Sequence, residues 1–276
     1  MTREPSKAER FLELHNGEQP LLLPNPWDVG SARLLAALGF GALATTSSGY
    51  AAALGLRDGA LGRDETLVYA ARIVAATDLP VSADLENCFA DDPAGVAETV
   101  EAAAAAGLAG CSVEDYTGRD DRPIYDLGLA RARVQAAADA AHRGTQRLVL
   151  TARAENYLHG RPDLADTITR LQAYQEAGAD VVYAPGVRSA EEIGEIVRSV
   201  DRPVNVLAMA GCPGVAELAA LGVRRISVGG SFAFAALAAL EEAAGELLER
   251  GTYGYTDRAA RGRAVMDPLL GPTLHR

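Results

Sequence analysis

The 276-residue sequence predicts a (β/α)8 TIM barrel. Three observations carry that expectation. Short β-rich runs alternate about eight times with longer Ala-rich stretches at helical spacing, the pattern of a parallel sheet covered by helices. Many helical stretches end in Gly before the next run, as in Ala106-Gly107 and Ala177-Gly178, where Gly takes the left-handed conformation cheaply. No Gly-rich phosphate turn follows the first strand, as an open doubly wound sheet would normally require; Pro24-Asn25-Pro26-Trp27-Asp28 stands there instead.

In chain order the strands are expected at 21–24, 42–47, 81–85, 111–115, 148–154, 181–184, 204–207 and 225–229. Helices are expected at 31–38, 64–77, 93–106, 127–143, 164–177, 190–200 and 215–221, with a last one from about Phe232 to Arg250. The reading is one barrel domain over residues 1–276, with 251–276 as a C-terminal tail that has room for one more helix.

Hydrophobic residues make up 49% and charged residues 23% of the chain, which excludes a disordered protein. A formal net charge of -11 repels phosphate backbones and anionic lipids, so neither nucleic acid nor membrane is an expected partner. Cys88, Cys111 and Cys212 match no zinc spacing, and three cannot fully pair within one chain. With a charged N-terminus lacking an apolar h-region, they point to a reduced, cytoplasmic setting. The longest apolar runs are too short to cross a bilayer.

Parallel barrels carry their chemistry at the C-terminal strand ends. There the sequence places Asp84 and Glu86, then Glu114, then Arg153 and Glu155, with Asp58 in the loop after the second strand. Alternation along a strand puts Asp84 with Glu86, and Arg153 with Glu155, on one side. Carboxylates gathered at one mouth repel unless protonated or bridged by a cation. All-oxygen donors without His or Cys favour Mg²⁺, or Mn²⁺, with some carboxylates acting through water. Helix caps and surface ion pairs are the competing explanation for any one of these acids. Ser47-Ser48-Gly49 at the second strand end offers backbone N–H groups to a carboxylate, or is an ordinary turn. Asn205, expected to be buried, needs partners and is a pocket candidate.

Taken together, Thr45-Thr46-Ser47-Ser48-Gly49-Tyr50 with Leu54-Gly55-Leu56-Arg57-Asp58, Ala83-Asp84-Leu85-Glu86-Asn87, Val113-Glu114-Asp115 and Thr151-Ala152-Arg153-Ala154-Glu155 resemble the isocitrate lyase/phosphoenolpyruvate mutase superfamily. The resemblance runs from about Leu21 to Leu240. It implies a Mg²⁺-dependent lyase that cleaves a C–C bond of a small 2-hydroxy or 2-oxo carboxylic acid through an enolate. The alternatives are a P–C bond mutase or phosphonopyruvate-type hydrolase, or a non-catalytic carboxylate-binding barrel. It also implies a homodimer or homotetramer, with the last helix exchanged between subunits. Asp84 would be the metal-proximal carboxylate, with Asp58, Glu86 and Glu114 in its shell. Arg153 would contact substrate oxygens, and Ser48 and Gly49 the substrate carboxylate, with Ser47, Tyr50, Glu155 and Asn205 completing the pocket.

Two departures stand out. The lyases of the superfamily carry a Lys-Lys/Arg-Cys-Gly-His loop after the fourth strand, and the mutases a Lys and an Asn. Here Tyr116-Thr117-Gly118-Arg119-Asp120-Asp121-Arg122-Pro123 has none of these. The stretch 116–126 is expected to be a mobile lid, with Arg119 or Arg122 supplying a cation to catalysis. Asp84-Leu85-Glu86 replaces an Asp-x-Asp pair. Cys88 and Cys111 are expected as small core residues, whereas His159 fits either a surface loop or an acid/base role.

Overall fold

The computed structural model describes residues 4–144 and 146–270. Strands β1 (Leu21–Leu23), β2 (Leu43–Ala44), β3 (Val81–Asp84), β4 (Gly110–Glu114), β5 (Val149–Arg153), β6 (Val181–Tyr183), β7 (Val204–Leu207) and β8 (Arg225–Ser227) form one parallel sheet, ordered β1-β8-β7-β6-β5-β4-β3-β2. A backbone bond of 3.0 Å from the Ala44 N–H to the Pro24 carbonyl crosses the seam between β2 and β1. The sheet is thereby a nearly closed (β/α)8 barrel.

The helices are α1 (Lys7–Leu14), α2 (Val29–Ala37), α3 (Ser47–Ala53), α4 (Arg63–Ala75), α5 (Pro93–Ala105), α6 (Leu127–Arg143), α7 (Leu164–Glu176), α8 (Ala190–Ser199), α9 (Val215–Ala220), α10 (Ser231–Gly245) and α11 (Tyr255–Met266). Gly107 and Gly178 close α5 and α7 at φ 82° and 105°, the left-handed stop that the sequence predicts. One boundary differs in kind. The strand expected over 42–47 ends at Ala44, because the Thr46 side chain accepts from the Gly49 N–H and caps α3. Ser47-Ser48-Gly49 therefore opens a helix and does not end a strand.

Helix α1 was not anticipated. Ser6 and Glu9 form a reciprocal capping box at its start. It carries Ala8 and Phe11 into a cluster with Leu21, Leu23, Ala42, Ala109, Val149 and Val181, which stoppers the N-terminal end of the barrel. The fit depends on Gly110: a Cβ there would stand 2.7 Å from the Val149 carbonyl oxygen and 2.8 Å from the Phe11 ring.

Above this stopper the interior is polar. Ser82, Ser112, Thr151, Asn205, Arg225 and Ser227 are all buried, where such barrels usually stack branched aliphatic residues. Polar atoms are costly to bury without partners, and Asn205 supplies some, donating to Ser227 and accepting from Arg225.

Helix α10 packs against α3 and leaves Phe232, Phe234, Leu237 and Leu240 exposed. On β1, Leu22 is 41% exposed, although it belongs to a barrel strand. The expected tail holds α11, which lies against α2; residues 271–276 lie outside the described residues. Among the described residues, no helix is long and apolar enough to cross a membrane.

Candidate active site

Strands β3, β4 and β5 end in Asp84, Glu114 and Arg153. Their register sets Asp84 beside Ser112 and Glu114 beside Arg153, so the three side chains converge at the C-terminal mouth. Arg153 is the hub. Its guanidinium donates to Asp84 at 2.7 Å and Glu155 at 2.8 Å and forms an ion pair with Glu114 at 2.9 Å, while lying 5.5 Å from the Tyr183 ring centroid. Burial opposes its charge, but Glu114, Glu155 and Asp84 outweigh that and raise its pKa further. One guanidinium cannot neutralise three carboxylates. Desolvation raises Glu114 well above the ordinary carboxylate range and raises Glu155 as well, against the lowering effect of Arg153 on both.

The outer part of the mouth is acidic too. Asp84 accepts from the Ser47 hydroxyl at 3.1 Å and the Ser47 N–H at 3.3 Å. Asp58 sits on the exposed rim. Partial desolvation of its carboxyl, ahead of repulsion from Asp84, raises its pKa, and the nearby Ser47 hydroxyl offsets part of that rise. Glu86 is pushed up to about 7, by desolvation first and then by Asp84 and Asp58.

Glu86 does not follow strand alternation. It has φ 50°, and Cys88 and Phe89 have φ 57° and 56°. Left-handed non-Gly residues cost on the order of 1–3 kcal/mol each and persist only where their surroundings hold them. Arg133 does the holding: buried in α6, it donates to the carbonyls of Asn87, Ala90 (2.9 Å) and Glu114 (3.2 Å). Its guanidinium also lies 4.2 Å from the Tyr125 ring centroid.

A cavity of about 190 Å³ opens at this mouth. Ser47, Ser48, Asp58, Asp84 and Arg153 line one side, and Leu158, Pro185 and Leu207 form an apolar wall. A larger hollow of about 770 Å³ lies at the opposite, N-terminal face among Leu14, Leu22, Leu38 and Phe40. It is mainly apolar and far from the acid cluster, so the smaller cavity is the candidate site.

Several expected site residues stand elsewhere. Gly49 is packed under α10: a Cβ there would lie 3.1 Å from Ala233 Cβ, so close helix packing explains this Gly. Tyr50 stacks on Tyr69 at 3.8 Å and does not line the cavity. Glu155 and Glu114 act behind Arg153, and neither lines the cavity. Asn205 is fully engaged below it, accepting from Arg225 at 2.9 Å and donating to Ser227 at 3.0 Å. Arg119 and Arg122 are exposed and away from the cavity, and Arg122 pairs with Asp126. His159 stacks on Tyr116 at 3.7 Å, and burial lowers its pKa. Cys88 and Cys111 are buried, and burial pushes the Cys88 thiol up to about 12, consistent with inert core residues. Among the described residues, no three His, Cys, Asp or Glu side chains converge closely enough to hold an ion by direct ligation alone.

Two contributors escaped the sequence reading. Asn25 lines the cavity, donates to the Thr45 carbonyl and accepts from the Val228 and Gly229 N–H groups. Arg225 also lines the cavity. An Asn between two prolines right after β1 was the available signal for the first, and a charged residue inside a predicted strand for the second.

The family model for phosphoenolpyruvate phosphomutase matches residues 11–248. The chain belongs to the phosphoenolpyruvate phosphomutase family. Within the wider isocitrate lyase/phosphoenolpyruvate mutase superfamily, its relatives are named lyases, decarboxylases and mutases. The 2-methylisocitrate lyase of Halalkalibacterium halodurans is 28% identical over 202 residues, covering 71% of this chain and 66% of that protein. The oxaloacetate decarboxylase of Paraburkholderia xenovorans is 29% identical over 260 residues, covering 90% and 84%. A solved structure from Burkholderia cenocepacia J2315, provisionally named a lyase/mutase, superposes with a TM-score of 0.93 at 52% identity over 96% of each chain. A bridge between Tyr116 and Ile124 and a Thr117 N–H to Pro123 carbonyl bond of 2.8 Å fold the loop after β4 into a small hairpin.

Proposed function

We propose that this protein is a Mg²⁺-dependent lyase that cleaves a C–C bond of a small 2-hydroxy or 2-oxo carboxylic acid. The observation that carries this reading is the Arg153 hub at the edge of a small cavity, with more carboxylates around it than one guanidinium can neutralise. Desolvation first, and then repulsion from neighbouring carboxylates, raises the pKa of Asp58 and Glu86 beside Asp84. Such oxygen-only donors suit Mg²⁺ or Mn²⁺. Asp84 would hold the ion directly, and Asp58, Glu86 and Glu114 would hold its waters. When bound, the ion supplies fixed positive charge next to the substrate's reacting oxygen.

The chain's own groups do the rest. Arg153 orients substrate oxygens and stabilises negative charge that develops on them. Ser48, in the first turn of α3, offers a donor to a carboxylate, while the hydroxyl and N–H of Ser47 hold Asp84 in place. Leu158, Pro185 and Leu207 exclude water from the reacting carbon. The test incubates the enzyme and Mg²⁺ with oxaloacetate, 2-methylisocitrate and phosphonopyruvate, and follows smaller carboxylic acids and free phosphate chromatographically. Smaller acids from a C–C substrate are expected. Phosphate from phosphonopyruvate, with both C–C substrates intact, would contradict the reading.

The subunits assemble as a homodimer or a pair of dimers. Exposed Phe232, Phe234, Leu237 and Leu240 on α10 and the uncovered Leu22 of β1 support this, since apolar faces of this kind are usually covered.

A further inference from the structure

Arg225 opens β8 deep in the barrel and is 4% exposed. Its direct partners are neutral. Nε donates to Asn205, and a terminal nitrogen lies 3.5 Å from His15 Nε2. Burial, and then Arg225 itself, lower His15 to about 3, and its Nδ1 donates to the Phe11 carbonyl, which leaves Nε2 as an acceptor. These contacts occupy two of the five guanidinium donors. No carboxylate among the described residues forms an ion pair with Arg225. Burial, ahead of repulsion from Arg153, lowers it to about 10, so it remains a cation at neutral pH.

A buried cation without a counter-charge is expensive, and this one lines the same cavity as Asp84 and Arg153. Ser82, Ser112 and Ser227 line that cavity too, so the space between mouth and floor is hydroxylic. Arg153 is already shared by three carboxylates. Among the described residues that line this cavity, the unclaimed positive charge that a second acid group of the substrate would meet is Arg225.

We propose that Arg225 anchors a second anionic group of the substrate, which makes that substrate a short dicarboxylate. The cavity, at about 190 Å³, is smaller than the roughly 300–1,000 Å³ of drug-sized sites and suits an acid of few carbons. One carboxylate lies at the Asp84–Arg153 mouth, and the other reaches the floor. This inference rests on the carboxylate-lyase reading above.

The test compares two probes by calorimetry with Mg²⁺ present: oxalate, too short to reach the floor, and 3,3-difluorooxaloacetate, a longer dicarboxylate. Arg225→Met should weaken the longer probe at least about tenfold, as loss of a buried charged partner does, and leave oxalate within about twofold. Arg225→Lys should recover part of the loss. Equal weakening of both probes, or no change in either, overturns the proposal. So does a wild-type protein that binds oxalate but not the longer acid. If Arg225→Met fails to fold, the Arg225→Lys variant carries the comparison, with a fall in the ratio of the two affinities expected and an unchanged ratio contradicting it. A wild-type protein that binds neither probe refutes the carboxylate-lyase reading itself.

Discussion

Glu86 shows how single residues at the mouth set the protein's response to pH. Its pKa rises from 4.5 to about 7 on folding. Between those values the native state keeps a proton that the unfolded chain has released, so its contribution to stability falls as pH climbs from about 4.5 to about 7. His15 works the other way: with its pKa lowered from 6.5 to about 3, it adds stability as pH rises through that range. Glu86→Gln isolates the first effect. Metal-free thermal melts of the variant should lose less stability than wild type between those pH values, and identical pH profiles would refute the role given to Glu86. At this scale much of the site was legible. Asp84, Glu114 and Arg153 stand at strand ends, where a packed core has no use for charge. Tyr50 and Gly49 misled because residues opening a helix were read as the end of a strand. Arg225 stayed hidden because it begins its strand, below the level at which barrel sites are sought.

Among the elements, the strand–helix alternation was readable because each unit carries its own cap and Gly stop. Helix α1 was missed because half of its eight residues are charged, although the Ser6–Glu9 box and Phe11 mark it. Its stopper predicts a cost for crowding β4. Gly110→Ala drives a methyl against the Val149 carbonyl and Phe11, and should destabilise by about 1–3 kcal/mol, as overpacking does. Chemical denaturation measures this, and an unchanged midpoint would contradict the packing. The loop after β4 was expected to be loose throughout. Instead Ile124 and Tyr125 are buried, and Thr117 is bonded to the Arg122 and Pro123 carbonyls, so only the tip from Gly118 to Asp121 is free of the core. Trypsin should cut after Arg119 faster in the free protein than with Mg²⁺ and oxalate bound. Equal rates with oxalate bound would show that the tip is not a lid.

The whole molecule is a barrel whose two ends are built for different tasks: an apolar stopper below, and charge around a small cavity above. Its outer surface is unfinished where α10 leans on α3. Light scattering at micromolar concentration should give at least a dimer mass, and Phe234→Asp should lower it; a monomeric wild type would contradict the assembly. The central claim is that the mouth gathers its carboxylates around Asp84 to hold a divalent cation with a small carboxylate. Calorimetric titration of Mg²⁺ plus oxalate into wild type and Asp84→Ala tests it most directly. Wild type should bind, and Asp84→Ala should lose binding by at least about a hundredfold while retaining a cooperative melt, since Asp84 is the proposed direct ligand. Equal affinity in the two proteins would contradict the account.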